Sequence, residues 1–378
     1  MNDFTNYKVI KETKNEQNIF FTIAIPHYRY REHLQIAIDS IIKQTYKNFE
    51  ILISDDSSPC DAHEIVPQQL YDLNVDFQYI RHDENQGYDR NVRFCIKKAR
   101  GKYVFLLGND DDLTDENVLG KLHEKLQLNN YPKVAFTSYS DFLTGELIKR
   151  AQNTRIYYGC TKTATKLFRA FSFVSGLIYD REESLKYDTD IWDHSVYYQF
   201  YLACKLICEG NNVCSIDINA VRINTTIDGK KVPTAAVRTQ TEWSFIPRYN
   251  GMDSVIRVVI NTIIPYVSYN DKSKTIKEII KQIYTISYPH ALMHYRTHRN
   301  WSYSVGVARR MRPDIIFAEY MFPIKDEPVS LFNFKFKDRF TLRIFYSIYT
   351  AAGLFMPIFF YEKIKAKIGN MIRKSQQQ

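Results

Sequence analysis

The stretch "YVFLLGNDDDLTDE", residues 103–116, sets three carboxylates, Asp110, Asp111 and Asp112, directly behind a run of apolar residues. Like charges so close together disfavour folding unless water, a cation or hydrogen-bond donors offset them. A short apolar run bounded by turn residues reads as a buried strand, which puts the charges at its carboxyl end.

Working outward, the same pattern recurs on both sides. The runs "FFTIAIP" (20–26), "FEILISDD" (49–56), "VDFQYIRH" (75–82) and "KVAFTSYS" (133–140) are separated by helix-length segments such as "REHLQIAIDSIIKQ" (31–44) and "RNVRFCIKKA" (90–99). Alternation of this kind predicts an α/β fold of βαβ units, with a mostly parallel sheet flanked by helices. Ligands of such sheets gather at the carboxyl ends of the strands. There the chain carries "PHYRYR", "SDDSS", "HDENQGYDRN" and "GNDDDL", four polar loops that converge on one rim.

Residues 155–224 read as helix, strand, helix and strand, completing the sheet and the second wall of the cleft. From about 240 to 330 the pattern turns helical, with "GMDSVIRVVINTIIPYV" (251–267) and "TIKEIIKQIYTISYPHALMHY" (275–295) as the clearest cases. The expected organisation is an α/β domain over 1–230, a helical region over 231–334 and a tail over 335–378.

The tail holds most of the net charge of +9: nine Lys/Arg against Asp338 and Glu362 give it +7, and the body keeps 42 basic and 40 acidic residues. That distribution argues against a nucleic-acid groove across the body. Between Ile344 and Tyr361 no residue is charged, and Pro357 and Gly353 interrupt the run. A basic, aromatic, amphipathic segment lying in a membrane surface fits this better than a span; a helical pair packed on the domain or on another subunit of a homo-oligomer is the alternative. The six cysteines lack paired spacing and read as reduced thiols, and the polar N-terminus has no apolar leader core. A cytoplasmic protein, peripheral to the inner membrane, is the expectation.

The four loops in order resemble family 2 glycosyltransferases of the GT-A fold, especially the abequosyltransferase-like enzymes of bacterial surface polysaccharides, over roughly residues 20–225. The resemblance implies transfer of a sugar from a nucleotide-sugar donor to a glycan or lipid-linked acceptor, as in O-antigen or capsule synthesis. It implies a base pocket lined by Pro26, His27 and Tyr28, with Asp55 or Asp56 accepting from base or ribose; a turn or helix cap is the alternative use of that pair. The Asn-x-Gly…Arg-Asn pattern falls on Asn85, Gly87, Arg90 and Asn91, with Gly87 and Arg90 facing the diphosphate.

The family's D-x-D motif holds Mn2+ or Mg2+ between the donor phosphates. Setting "LLGNDDDL" on the common form "FLDADDxL" puts Gly108 where the first Asp stands, Asn109 at the variable position, and Asp110 and Asp111 next. Asp110 with Asp112 is the other register. A general base comes, in the family, from a Glu-Asp pair opening the last long helix of the domain. Tyr198 and Gln199 fall there and cannot serve at neutral pH, which leaves Asp193 first and His194 second as candidates, or a plain helix cap. The absence of G-x-G-x-x-G excludes a dinucleotide dehydrogenase. Gly108 and the displaced base leave open a non-catalytic sugar-binding or scaffold protein of the same fold.

Overall fold

Strand β1 (Tyr7–Glu12), which no apolar run announces, forms one edge of the sheet in a computed structural model that describes residues 4, 6–13, 18–150, 153–227, 229–231, 252–316, 336–360 and 363. The expected alternation follows: β2 (Phe21–His27), α1 (Arg31–Ile42), β3 (Phe49–Asp55), α2 (Ala62–Asp72), β4 (Phe77–His82), α3 (Tyr88–Lys98) and β5 (Tyr103–Leu106). Helices cover both faces, so β3 is buried at every residue, the polar Glu50, Ser54 and Asp55 included.

The second half supplies β6 (Asp112–Leu113), α4 (Val118–Leu128), β7 (Val134–Asp141), β8 (Leu147–Ile148), β9 (Arg155–Tyr157), α5 (Thr161–Leu167), β10 (Leu177–Asp180), α6 (Arg181–Leu185), α7 (Tyr198–Cys208) and β11 (Val213–Ile223). Among the described residues these strands join one 11-stranded sheet, in the order β1-β4-β3-β2-β5-β10-β7-β11-β6, with β8 on β7 and β9 on β11. The α/β class expected from the sequence is the one found. Parallel pairing is confined to the block β4-β3-β2-β5 and to β7 with β11, and β10 runs antiparallel between the two blocks. The sheet is therefore mixed.

Register brings the strand ends together. His27 pairs with Asp55, and Asp55 with Arg81, across β2, β3 and β4. On the other side of β2, the N–H of Leu107 donates to the Ala24 carbonyl at 3.0 Å, which carries "GND" alongside His27.

The helical region comprises α8 (Met252–Ile263), α9 (Tyr269–Gln282), α10 (Tyr288–His298), α11 (Trp301–Arg310), a single turn α12 (Pro313–Ile315) and α13 (Phe336–Phe355). Between α9 and α10, Ile283–Ser287 widen into a π-turn ahead of Pro289, which has no N–H to continue the regular ladder. One buried cluster runs from Leu106 and Tyr179 in the sheet through Leu202 and Leu206 of α7 to Ile256 and Val259 of α8 and Leu342 of α13. Among the described residues no helix is long and apolar enough to cross a membrane. The basic stretch 364–378 of the expected tail lies outside the described residues.

Candidate active site

The ends of β2 and β3 form a densely bonded floor. His27 is fully buried; its Nδ1 lies 3.1 Å from Asn109 Nδ2 and its Nε2 3.6 Å from Cys60 Sγ. Burial pulls its pKa down to about 4, against the opposing pull of Asp55, so the ring is neutral and Nδ1 accepts from the Asn109 amide. Asn109 Nδ2 also donates to the Arg29 carbonyl at 3.0 Å. The fourth strand-end loop is thus tied to the first. Pro26 and Tyr28, on either side of His27, are half-buried.

Asp55 is wholly buried and wholly engaged: Oδ1 accepts from Ser58 N at 2.7 Å, and Oδ2 accepts from Tyr79 Oη and Arg81 Nη1, each at 2.8 Å. Asp56 reaches the next loop, where its two oxygens accept from Gln86 N at 2.6 Å and Gly87 N at 2.9 Å. Burial pushes its pKa up to about 7, while these two N–H groups and Arg90 pull the other way. Both aspartates therefore hold turns as well as standing at the rim, because a buried carboxylate without partners is too costly to keep.

Gly87 opens α3 with φ of 85°, a conformation that favours glycine. Asn85 braces the same turn, donating from Nδ2 to the Asp56 carbonyl at 3.0 Å and accepting Gly87 N at 3.1 Å. Arg90 stands over the Phe4 ring at 5.4 Å, with its charge felt by Asp56 and by Asp193.

The aspartate triplet divides. A Cβ at Gly108 would lie 2.8 Å from Asp111 Oδ2, 3.2 Å from Asp110 Oδ1 and 3.2 Å from Ser175 Oγ. The two carboxylates fold back over the glycine and fill the space that a first-position aspartate would need. Ser175 fastens the arrangement, donating to Asp111 Oδ2 at 2.5 Å and accepting Gly108 N at 2.8 Å. Burial, and after it the Asp110 carboxylate, push the Asp111 pKa well up. Asp112 faces elsewhere: its oxygens meet the Arg222 guanidinium, with Nε to Oδ1 at 3.0 Å, inside the β6–β11 pairing.

Two converging carboxylates and a hydroxyl are a hard oxygen donor set, the kind that holds Mg2+ or Mn2+ when phosphate and water complete the shell. Among the described residues there is no cluster of three or more His, Cys, Asp or Glu able to hold a metal by protein groups alone. The residues fit a cation shared with a bound diphosphate.

Asp193 and His194 lie in the loop ahead of α7, since that helix begins at Tyr198. Asp193 Oδ2 accepts from Arg93 Nη1 at 2.7 Å, and Oδ1 is buried with no hydrogen-bond partner among the described residues. Burial raises the Asp193 pKa and Arg93 opposes the rise. His194 and Val196 have left-handed backbones, φ 67° and 70°. That strained loop is held by Asp89, whose buried carboxylate accepts Val196 N at 2.7 Å and Tyr198 N at 2.9 Å.

Four residues of this neighbourhood were given no site role by the sequence. Ser175 and Asp89 act from loops and helices distant in the chain. Half-buried Arg150 donates to the carbonyls of Thr137 at 2.5 Å, Phe173 at 2.9 Å and Ser175 at 2.5 Å, securing the loop beside Asp111. Arg29, left-handed at φ 63°, keeps a buried Nε without a hydrogen-bond partner among the described residues. Arg29 and Asp89 stood inside the quoted loops "PHYRYR" and "HDENQGYDRN"; Ser175 and Arg150 stood in none.

Residues 22–184 match the family model described as Glycosyl transferase family 2. The chain is 30% identical over 108 residues to glycosyltransferase GlyG of Streptococcus pneumoniae serotype 4, covering 28% of this chain and 35% of that protein. To abequosyltransferase RfbV of Salmonella typhimurium it is 30% identical over 102 residues, 26% of this chain and 31% of the relative. It thus spans about a third of the length of these curated relatives. The crystal structure of S. aureus TarS 1-349 in complex with UDP superposes with a TM-score of 0.56 at 13% identity, covering 87% of this chain and 92% of that one, a likeness of fold.

Proposed function

We propose, from the premise that residues 22–184 are a family 2 glycosyltransferase domain, that this protein transfers a sugar from a nucleoside-diphosphate sugar to a saccharide acceptor, with inversion at the anomeric carbon. The observation that carries the reading is the convergence of Asp110 and Asp111 over Gly108, at the strand end beside His27 and Asn109. A half-buried carboxylate, Asp110, beside a buried one, Asp111, calls for a cation there, and a diphosphate brings the remaining oxygens.

The geometry supports the following roles. Pro26 and Tyr28 border the base, with His27 as a neutral strut beneath them. Asp56 has lone pairs left after its two N–H bonds, and these accept from ribose or base. The N-terminus of α3 at Gly87, with Arg90, faces the phosphates. Asp110 and Asp111 hold Mn2+ or Mg2+, and Asn109 keeps their loop against β2. A divalent cation, when bound, offsets the charge that gathers on the departing diphosphate. Asp193 takes the acceptor proton through Oδ1, oriented by Arg93 at Oδ2, with His194 as the alternative base.

The acceptor is a glycan, lipid-linked, in the assembly of O-antigen, capsule or another bacterial surface polymer at the cytoplasmic side of the inner membrane. Residues 1–230 carry the chemistry, 231–334 buttress it and 335–378 meet the membrane. Unfolding temperatures measured with UDP-, GDP-, CDP- and dTDP-sugars, each with and without Mn2+, test the reading. One donor class should raise the midpoint more with the metal than without, since only a ligand of the native state stabilises it. Metal-dependent donor hydrolysis then separates an enzyme from a sugar-binding scaffold, for which donor binding would persist without turnover.

A further inference from the structure

Helix α13 presents two unlike faces. One is docked: Leu342 is fully buried, Tyr346 Oη donates to the Ala308 carbonyl at 2.9 Å, and Tyr288 and Thr350 share a hydroxyl hydrogen bond of 2.7 Å. Gly353 lies so close to α10 that a Cβ there would come within 2.8 Å of Leu292 Cβ. The position of this helix is set by that packing.

The opposite face carries Ile344, Ile348 and Phe355, which are 42%, 59% and 70% exposed and follow the helical repeat. Past Pro357 the apolar surface continues with exposed Phe359, and Trp301 of α11 joins it with its ring 6.3 Å from Phe355. The rim is basic. Lys337, Arg339 and Arg343 are exposed, and Lys363 Nζ stands 4.2 Å over the Phe359 ring. The one acidic side chain of the helix, Asp338, is turned inward to Lys277 at 2.5 Å.

We propose that this face lies in the headgroup layer of an anionic lipid bilayer, with α13 parallel to the membrane plane. The inference deepens the membrane reading given above by assigning the surface that makes contact. Charge complementarity selects the occupant: an anionic bilayer takes up the apolar stripe and neutralises its basic rim. A second copy meeting the same face about a twofold axis would set one basic rim against another. Arg and Lys stems at the border bury their methylenes while the charges reach the headgroups.

The test uses the full chain without donor or acceptor, so that failure of the transferase reading leaves it intact. Sedimentation is measured with phosphatidylcholine vesicles, with and without phosphatidylglycerol. Wild type should partition to the anionic vesicles and lose affinity as salt rises. The double variant Ile348→Glu/Phe355→Glu, altered only at exposed positions, should bind at least about tenfold more weakly. As a readout free of substitutions, amide exchange across 336–360 of the wild type should slow on adding anionic vesicles. Equal partitioning of variant and wild type, or unchanged exchange, overturns the proposal. So does light scattering that finds a wild-type dimer which the double variant turns into a monomer, because the face would then belong to a second copy.

Discussion

Arg222 clasps both carboxylate oxygens of Asp112 across the β6–β11 pairing, with Nε to Oδ1 at 3.0 Å, and so removes one member of the aspartate triplet from the rim. Asp112 is buried while the Arg222 side chain is 38% exposed, so the pair is partly screened. Asp112→Asn should therefore cost about 1–2 kcal/mol of stability and leave metal-dependent donor binding in place. Urea unfolding beside donor titration checks this, and loss of the metal response would restore the Asp110/Asp112 register.

Asp110→Asn should give the reverse pattern. Unfolding without ligand stays near wild type, while metal-enhanced donor binding and turnover disappear. Turnover unchanged in saturating Mn2+ would remove Asp110 from the proposed role.

Gly108→Ala tests the space into which the carboxylates fold. A methyl group there meets Asp111 Oδ2 at 2.8 Å and Asp110 Oδ1 at 3.2 Å, so both must move. A shift of about 1 Å at a reacting centre can cost on the order of a hundredfold in rate, and a drop in kcat of at least tenfold is expected. Gly108→Asp should be worse, since its carboxylate has no room.

Asp193→Asn should lower kcat by at least about a hundredfold with little change in donor affinity, as removal of a general base does. Asp89→Ala probes the support of the same loop. It frees the N–H groups of Val196 and Tyr198, costing about 0.5–2 kcal/mol as a lost helix cap does. If His194→Ala alone produces the hundredfold loss, the base is His194.

His27 makes a pH prediction with a definite sign. Its folded pKa of about 4 lies below its ordinary 6.5, so between these values the unfolded chain binds more protons. Its contribution to stability is complete above pH 6.5 and is lost as pH falls toward 4, at up to about 1.4 kcal/mol per pH unit. The difference in unfolding free energy between wild type and His27→Asn should therefore shrink as pH drops through that window. A constant difference would mean that the imidazole is not held neutral.

The residue pattern by itself determined the αβ alternation, the strand-end location of the polar loops and the residues that meet there, because apolar period and turn chemistry are local properties of the chain. His27, Asp55, Asp56, Gly87 and Asn109 all stand at the rim where the loops predicted them. Tertiary structure decided what each carboxylate does. Asp55 and Asp56 are engaged by N–H, hydroxyl and guanidinium donors, Asp112 by Arg222, and the start of α7 is set by Asp89, 109 residues earlier. It also inserted β10 antiparallel between two parallel blocks and laid one face of the tail helix on α10. The reason is that a buried charge must find donors. Which donors are within reach depends on strands and helices far away in the chain, and these are brought together only when the sheet closes around its core.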